Sequence, residues 1–218
     1  MSKMDPKIGV DKHVGIAGQT GTGKSVLAEI YLAGVTEVDV VKLDTKGEVY
    51  ERRKKKEPIW RGLVEGKDYT VVERLEELDE VRTRKIIYAP IFEEQELEYY
   101  DALMKWVYMR ENTTLWIDEL MEVCPSHFKY PPYLKGIMTR GRSKNVAVWA
   151  CTQRPADIPA IVFGNCSHFF IFDMNLPQDR EKMAKITGAS RFLEKPGFRY
   201  FWYFESGWDE PIKATLKL

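Results

Sequence analysis

Residues 18–25, Gly-Gln-Thr-Gly-Thr-Gly-Lys-Ser, constrain this chain more than any other segment. Before them, residues 13–17 are a short apolar run of strand character. After them, residues 24–33 carry Val26, Leu27, Ile30 and Tyr31 on one helical face, and Gly34 is placed to end the helix. A strand must therefore pass through a glycine-rich turn directly into a helix N-terminus. Such a turn aims several backbone N–H groups at one point, and the helix dipole adds positive potential there, so the segment is built to hold an anion.

The order GxxxxGKS in this context is that of a P-loop. Gly18, Gln19, Thr20, Gly21, Thr22, Gly23, Lys24, Ser25 and Val26 form the expected nucleotide-binding set. Lys24 is expected at the β- and γ-phosphates, and the Ser25 hydroxyl on Mg²⁺.

A second apolar run, Leu115-Trp116-Ile117, ends in Asp118-Glu119. In open α/β sheets, ligands bind at the carboxyl ends of the strands, where these two acids fall. Asp118 is expected to hold Mg²⁺ through water, and Glu119 to accept a proton from the attacking water. Consecutive acids here argue against simple nucleotide kinases and GTPases.

Short apolar strands alternate with helical stretches along the chain, which predicts βαβ units and a mostly parallel sheet. Further strands are expected at 38–44, 85–89, 114–118, 146–151 and 167–172, and helices at 93–108, 132–140 and 177–187. The stretch between residues 44 and 85 is charged and only loosely placed. Residues 198–204 and 212–216 predict a C-terminal β-hairpin. One domain over residues 1–218 accounts for this, with a core at about 13–188 and an extension at about 189–218.

The chain has 218 residues, 44% hydrophobic and 30% charged, with zero formal net charge. That composition is of the soluble globular kind, and it neither demands nor excludes a nucleic-acid partner, since a local basic stripe suffices. Cys124, Cys151 and Cys166 form no CxxC pair and read as reduced thiols, which suits a cytoplasmic setting. The scattered His13, His127 and His168 do not suggest a metal cluster.

Residues 141–155 end one more strand at Thr152-Gln153-Arg154-Pro155. A polar amide at the tip of a core strand can orient water or sense a γ-phosphate. This segment resembles the FtsK/HerA superfamily of DNA-pumping ATPases, with Gln153 at the sensor position. Leu43-Asp44-Thr45-Lys46-Gly47-Glu48 and Pro155-Ala156-Asp157-Ile158-Pro159 are similar to that family's pattern too. The resemblance runs from about residue 13 to 188, and the size of the chain is most similar to stand-alone viral genome-packaging ATPases. It implies a RecA-like (ASCE) sheet with the Gln153 strand between the Gly18 and Asp118 strands. It further implies an ATPase using ATP and Mg²⁺, a homo-oligomeric ring, expected to be a hexamer, and double-stranded DNA held without regard to sequence. A capsid vertex or membrane protein is the implied docking partner, in the host cytoplasm or on the virion. Arg142 falls at the spacing of an arginine that reaches a neighbouring subunit's nucleotide; Arg140 and Arg154 are the alternatives. Other readings are a conjugation, secretion or phage-morphogenesis ATPase of the same superfamily, or a small-molecule NTP-dependent kinase.

Two segments stay open in function. Arg52-Arg53-Lys54-Lys55-Lys56 can grip phosphates or form a solvated face among acids. Residues 125–133, with His127, Lys129 and aromatics, can line a pore or pack as a lid.

Overall fold

A computed structural model describes residues 7–216. In chain order the strands are β1 (Val14–Ala17), β2 (Asp39–Leu43), β3 (Tyr69–Val72), β4 (Lys85–Tyr88) and β5 (Thr113–Ile117). Then follow β6 (Val146–Thr152), β7 (His168–Ile171), β8 (Tyr200–Glu205) and β9 (Ile212–Thr215). The described residues form one sheet in the order β3-β4-β2-β5-β6-β1-β7-β8-β9. Strands β1 to β7 pair in parallel, and β8 and β9 are antiparallel additions. The Gln153 strand, β6, lies between β1 and β5, as the resemblance implies.

Helices α1 (Lys24–Ala33), α2 (Glu48–Lys55), α3 (Leu97–Arg110), α5 (Pro132–Arg140) and α7 (Pro177–Thr187) and the short turns α4 (Leu120–Val123) and α6 (Ala160–Phe163) connect the strands. The central strands are buried on both faces, which explains why β5 and β6 read as continuous rather than alternating apolar runs. Alternate residues feed two cores. Leu115, Ile117, Val148 and Ala150 pack with α3 and α5, whereas Trp116, Trp149, Cys151 and Phe170 pack with α1. Cys124, Cys151 and Cys166 are all free and buried. Among the described residues no helix is long and apolar enough to cross a membrane.

Two elements in the loosely placed stretch are new. Helix α2 begins because the Asp44 carboxylate accepts the Glu48 and Val49 N–H groups at 3.0 and 2.8 Å, satisfying donors that a helix start leaves free. Strand β3 is a four-residue edge strand.

Helix α3 starts four residues later than its acidic run suggests. The Glu94 carboxylate is drawn into the protein instead, accepting the Tyr88 hydroxyl at 2.6 Å and the Leu75 N–H at 2.8 Å. Residues Phe92–Glu94 therefore make a separate 3₁₀ turn.

Candidate active site

Parallel pairing brings the carboxyl ends of β1, β5, β6 and β7 to one edge of the sheet. The loop 18–23 leaves β1 there and is fixed on both sides. Gly18 N–H donates to the Thr152 carbonyl of β6 at 3.2 Å, and Gln19 N–H donates to the Asp173 carbonyl beyond β7 at 2.8 Å. A Cβ on Gly18 would stand 2.5 Å from Phe172 Cβ, so only glycine lets the loop lie this close to the sheet. Gly23 stands at φ 105, where a side chain would be strained.

Lys24 follows on α1, only 5% exposed. Its Nζ donates to the Gln19 carbonyl at 2.9 Å. Burial pushes its pKa down to about 8. An ammonium with so little water around it gains strongly from a phosphate partner. Ser25 and Val26 are half-buried in the same first turn of α1.

Asp118 and Glu119 leave β5 at the neighbouring position but one. Asp118 is fully buried, and one oxygen, Oδ1, accepts the Thr45 hydroxyl at 2.7 Å and the Thr45 N–H at 3.1 Å. Its other oxygen, Oδ2, is buried with no hydrogen-bond partner among the described residues. Desolvation raises the Asp118 pKa to about 6, against the lowering effect of Lys42 and Lys46. An orphaned carboxylate oxygen in a site this dry fits a hard dication, which takes oxygen donors and would favour the charged form. Ser25 and Asp118 thus fit Mg²⁺ chemically.

Glu119 is arranged differently. Its Oε1 accepts the Gln153 N–H at 3.2 Å, while Oε2 has no hydrogen bond and faces Lys46 Nζ at 3.6 Å. Gln153 in turn accepts the Thr20 hydroxyl at 2.6 Å through its side-chain oxygen. The phosphate loop, the amide and the acid therefore form one chain: Thr20 to Gln153, Gln153 to Glu119. A carboxylate fixed through one oxygen, with the other making no hydrogen bond, can accept a proton from a water held between it and a terminal phosphate.

Thr45 and Lys46 touch both acids and are the site contacts that residue-by-residue reading leaves unassigned. Lys46 Nζ also donates to the Asp118 carbonyl at 2.8 Å. Their signal is positional: β2 pairs with β5, so a polar turn ending β2 must meet the acids ending β5.

The three arginines separate. Arg154 sits at this edge but is tied by Asp157 at 3.1 Å and by the buried Asp179 at 3.2 Å. Arg142 lies at the far end of β6, in the 3₁₀ turn Gly141–Lys144, with its side chain 77% exposed and Nε 3.1 Å from Asp11. Arg140 is exposed at the end of α5.

Of the basic run, Arg52 forms a forked pair with buried Glu29 at 2.9 and 3.0 Å, and Arg53 meets Glu65 and Glu73. Arg52 serves a buried pair and Arg53 a surface pair, while Lys54, Lys55 and Lys56 are exposed. In the loop 125–131, Tyr130 packs on the core and His127 bonds the Ala156 carbonyl at 2.8 Å, whereas Phe128 is 96% exposed.

No protein-family model and no curated protein matches the chain. Solved structures do match. The genome packaging NTPase B204 from Sulfolobus turreted icosahedral virus 2, in complex with ATP-gammaS, has a TM-score of 0.74 at 16% identity, over 97% of this chain and 100% of that one. The DNA-packaging ATPase B204 from Sulfolobus turreted icosahedral virus gives 0.72 at 19% identity, over 97% and 98%. VirB4 of Thermoanaerobacter pseudethanolicus gives 0.64 at 12% identity, over 97% and 93%. The chain thus shares the fold of these packaging ATPases, a mostly parallel α/β sheet with an antiparallel addition.

Proposed function

We propose that this chain hydrolyses ATP and uses it to translocate double-stranded DNA, as the motor of viral genome packaging. The observation that carries the reading is the linked set Thr20, Gln153 and Glu119 beside a complete phosphate loop and the orphaned Asp118 oxygen. Its support in architecture is the end-to-end likeness to B204, whose structures include complexes with ATP-gammaS and AMPPCP.

In this reading Lys24 and the loop N–H groups hold the phosphates. Ser25 and Asp118 hold Mg²⁺, which would neutralise charge on the phosphate oxygens. Glu119 takes the proton of the attacking water, and Gln153 orients that water relative to the loop. Arg142 serves the neighbouring subunit of a ring, expected to be a hexamer. Successive turnover around the ring moves loops along the phosphate backbone, which positions DNA without reading bases. The motor works in the host cytoplasm against a capsid vertex or membrane partner.

The likeness to VirB4 favours one other reading, a secretion or conjugation ATPase of the same fold. ATPase assays with and without long random duplex separate them. A packaging motor is stimulated by long duplex, and its DNA binding weakens steeply with salt because it rests on phosphate contacts. A flat salt response, or preference for one short sequence, rules against the motor.

A further inference from the structure

We infer that residues 195–199, together with Leu216, form the seat of the nucleobase, holding a flat aromatic ring by stacking beside Phe198. This rests on the ATP-binding reading above and adds where the other end of the nucleotide lies. The sheet order decides the direction. From β1, the strands β6 and β5 bring Gln153, Glu119 and Asp118 to one side of the phosphate loop. The terminal phosphate must face that side, because the water-handling groups are there. The ribose and base then extend over the opposite side, toward β7, β8 and β9.

Antiparallel pairing puts the right residues at that end. Strand β8 runs against β7, so residues 198 and 199, which precede β8, stand at the carboxyl edge of β7. Thr215 pairs with Tyr200, so β9 ends at the same edge.

Asp173 and Leu216 join this corner to the phosphate loop. The Asp173 carbonyl accepts the Gln19 N–H at 2.8 Å, and the Asp173 carboxylate accepts the Gly197 N–H at 3.1 Å. One residue thus ties loop and corner together. The Thr215 hydroxyl donates to the Arg199 carbonyl at 2.9 Å, binding β9 to the same corner. Leu216 Cδ1 lies 2.9 Å from where a Cβ of Gly23 would stand, which places its methyl groups against the start of α1.

The chemistry on this frame suits a π surface. Phe198 is 78% exposed, and the Arg199 guanidinium carbon stands 5.2 Å from its ring centroid. A guanidinium and an aromatic ring both stack on a nucleobase, and such stacking is worth about tenfold or more in affinity. A lone exposed phenylalanine needs no explanation. One whose neighbour Gly197 is tied through Asp173 to the phosphate loop, on the side away from the reacting phosphate, has the position of a base platform.

The test titrates the full chain, with Mg²⁺, against ATP-gammaS and against inorganic tripolyphosphate, which has the phosphates and no base. Phe198→Ala should weaken ATP-gammaS about tenfold and leave tripolyphosphate unchanged. Phe198→Tyr, which keeps the ring, should bind both as the parent does. Unchanged ATP-gammaS affinity in Phe198→Ala overturns the seat, and so does an equal loss for both ligands, since the residue would then act through the loop. If the parent chain binds neither ligand, the nucleotide reading itself falls. If the parent binds both and Phe198→Ala makes no difference, only the seat falls.

Discussion

Gln153 N–H donates to Glu119 Oε1 at 3.2 Å, so the amide at the end of β6 and the acid at the end of β5 act as one unit. Lys24 belongs to the other half of the site, on the loop itself. Lys24→Ala should abolish nucleotide binding, because its ammonium meets phosphates in the ground state. Glu119→Gln should keep binding and lower turnover by about 10²–10⁴-fold, because it removes a base needed only as the water attacks. Calorimetric binding together with phosphate release distinguishes the two. Parent-like turnover in Glu119→Gln would remove that residue from the base role.

Lys46 approaches both acids at once, through the Asp118 carbonyl at 2.8 Å and Glu119 Oε2 at 3.6 Å. Removing it should let the Glu119 carboxylate drift from its productive position, and small misplacements are costly to rate. Lys46→Met is expected to lower kcat by about tenfold or more while ATP-gammaS affinity changes little. Lys46→Arg should recover part of the rate. A loss confined to affinity, with kcat intact, would make Lys46 a phosphate ligand instead.

The parts of the site legible in sequence are those whose chemistry is local. Residues 18–25 declare themselves because glycine spacing, lysine and helix start are contiguous. Gln153 is legible locally only as a polar amide at the tip of a core strand; its sensor role comes from a family pattern. Thr45 was not legible in its role: its bond to Asp118 spans 73 residues, and only the pairing of β2 with β5 creates it. The same holds for α2, whose residues are mostly charged. Its single buried side chain, Val49, leaves almost no apolar periodicity to read, and its start depends on Asp44 upstream. Edge strand β3 is four residues long and half-buried in its middle, too short to alternate visibly.

Glu29 and Arg52 make a stability prediction. Glu29 is 1% exposed, and its carboxylate accepts both Arg52 and the Arg61 N–H. Arg52→Ala leaves that charge buried without its cation and should cost about 3–5 kcal/mol. Lys54→Ala, on the exposed side of the same helix, should stay within about 0.5 kcal/mol. Urea unfolding of both variants decides the matter. Equal, small losses would mean that Arg52 is only a solvated basic residue.

His13 gives the pH dependence. It is buried, its Nδ1 accepts the Val148 N–H at 3.0 Å, and burial lowers its pKa from the usual 6.5 to about 4. The folded protein therefore keeps His13 neutral where the unfolded chain already binds a proton. Stability from this residue is complete above pH 6.5 and is lost as pH falls toward 4, by roughly 3 kcal/mol in all. His13→Asn keeps a side-chain acceptor but cannot titrate. Its unfolding free energy should fall less steeply than the parent's between those pH values. Parallel curves for the two proteins would show that His13 does not carry the acid sensitivity.

Arg142 and Gln153 bracket β6 from opposite ends, and this placement makes the arginine a candidate to act in trans. The seven residues of β6 span roughly 23 Å at about 3.3 Å each, so Arg142 stands that far from its own nucleotide edge. Its side chain is 77% exposed and among the described residues is held by Asp11, a surface pair of little worth that can exchange for a stronger anion. A guanidinium there can reach a neighbour's γ-phosphate across a ring interface and neutralise charge on the transferred group, an effect worth about 10³–10⁵ in rate. Arg142→Ala should therefore bind ATP normally and hydrolyse it very slowly. Arg154 is a poorer candidate, because buried Asp179 holds it at 3.2 Å on its own subunit's edge. Mixing Arg142→Ala with Glu119→Gln under conditions of subunit exchange is the decisive experiment. An Arg142→Ala subunit keeps its own Glu119, and a Glu119→Gln neighbour lends it Arg142, so one complete site is rebuilt at their interface. Activity in the mixture should rise well above the small residual rate of either variant alone. Demonstrated co-assembly without recovery would show that Arg142 does not act across the interface, and exposed Arg140 would be the next residue to exchange.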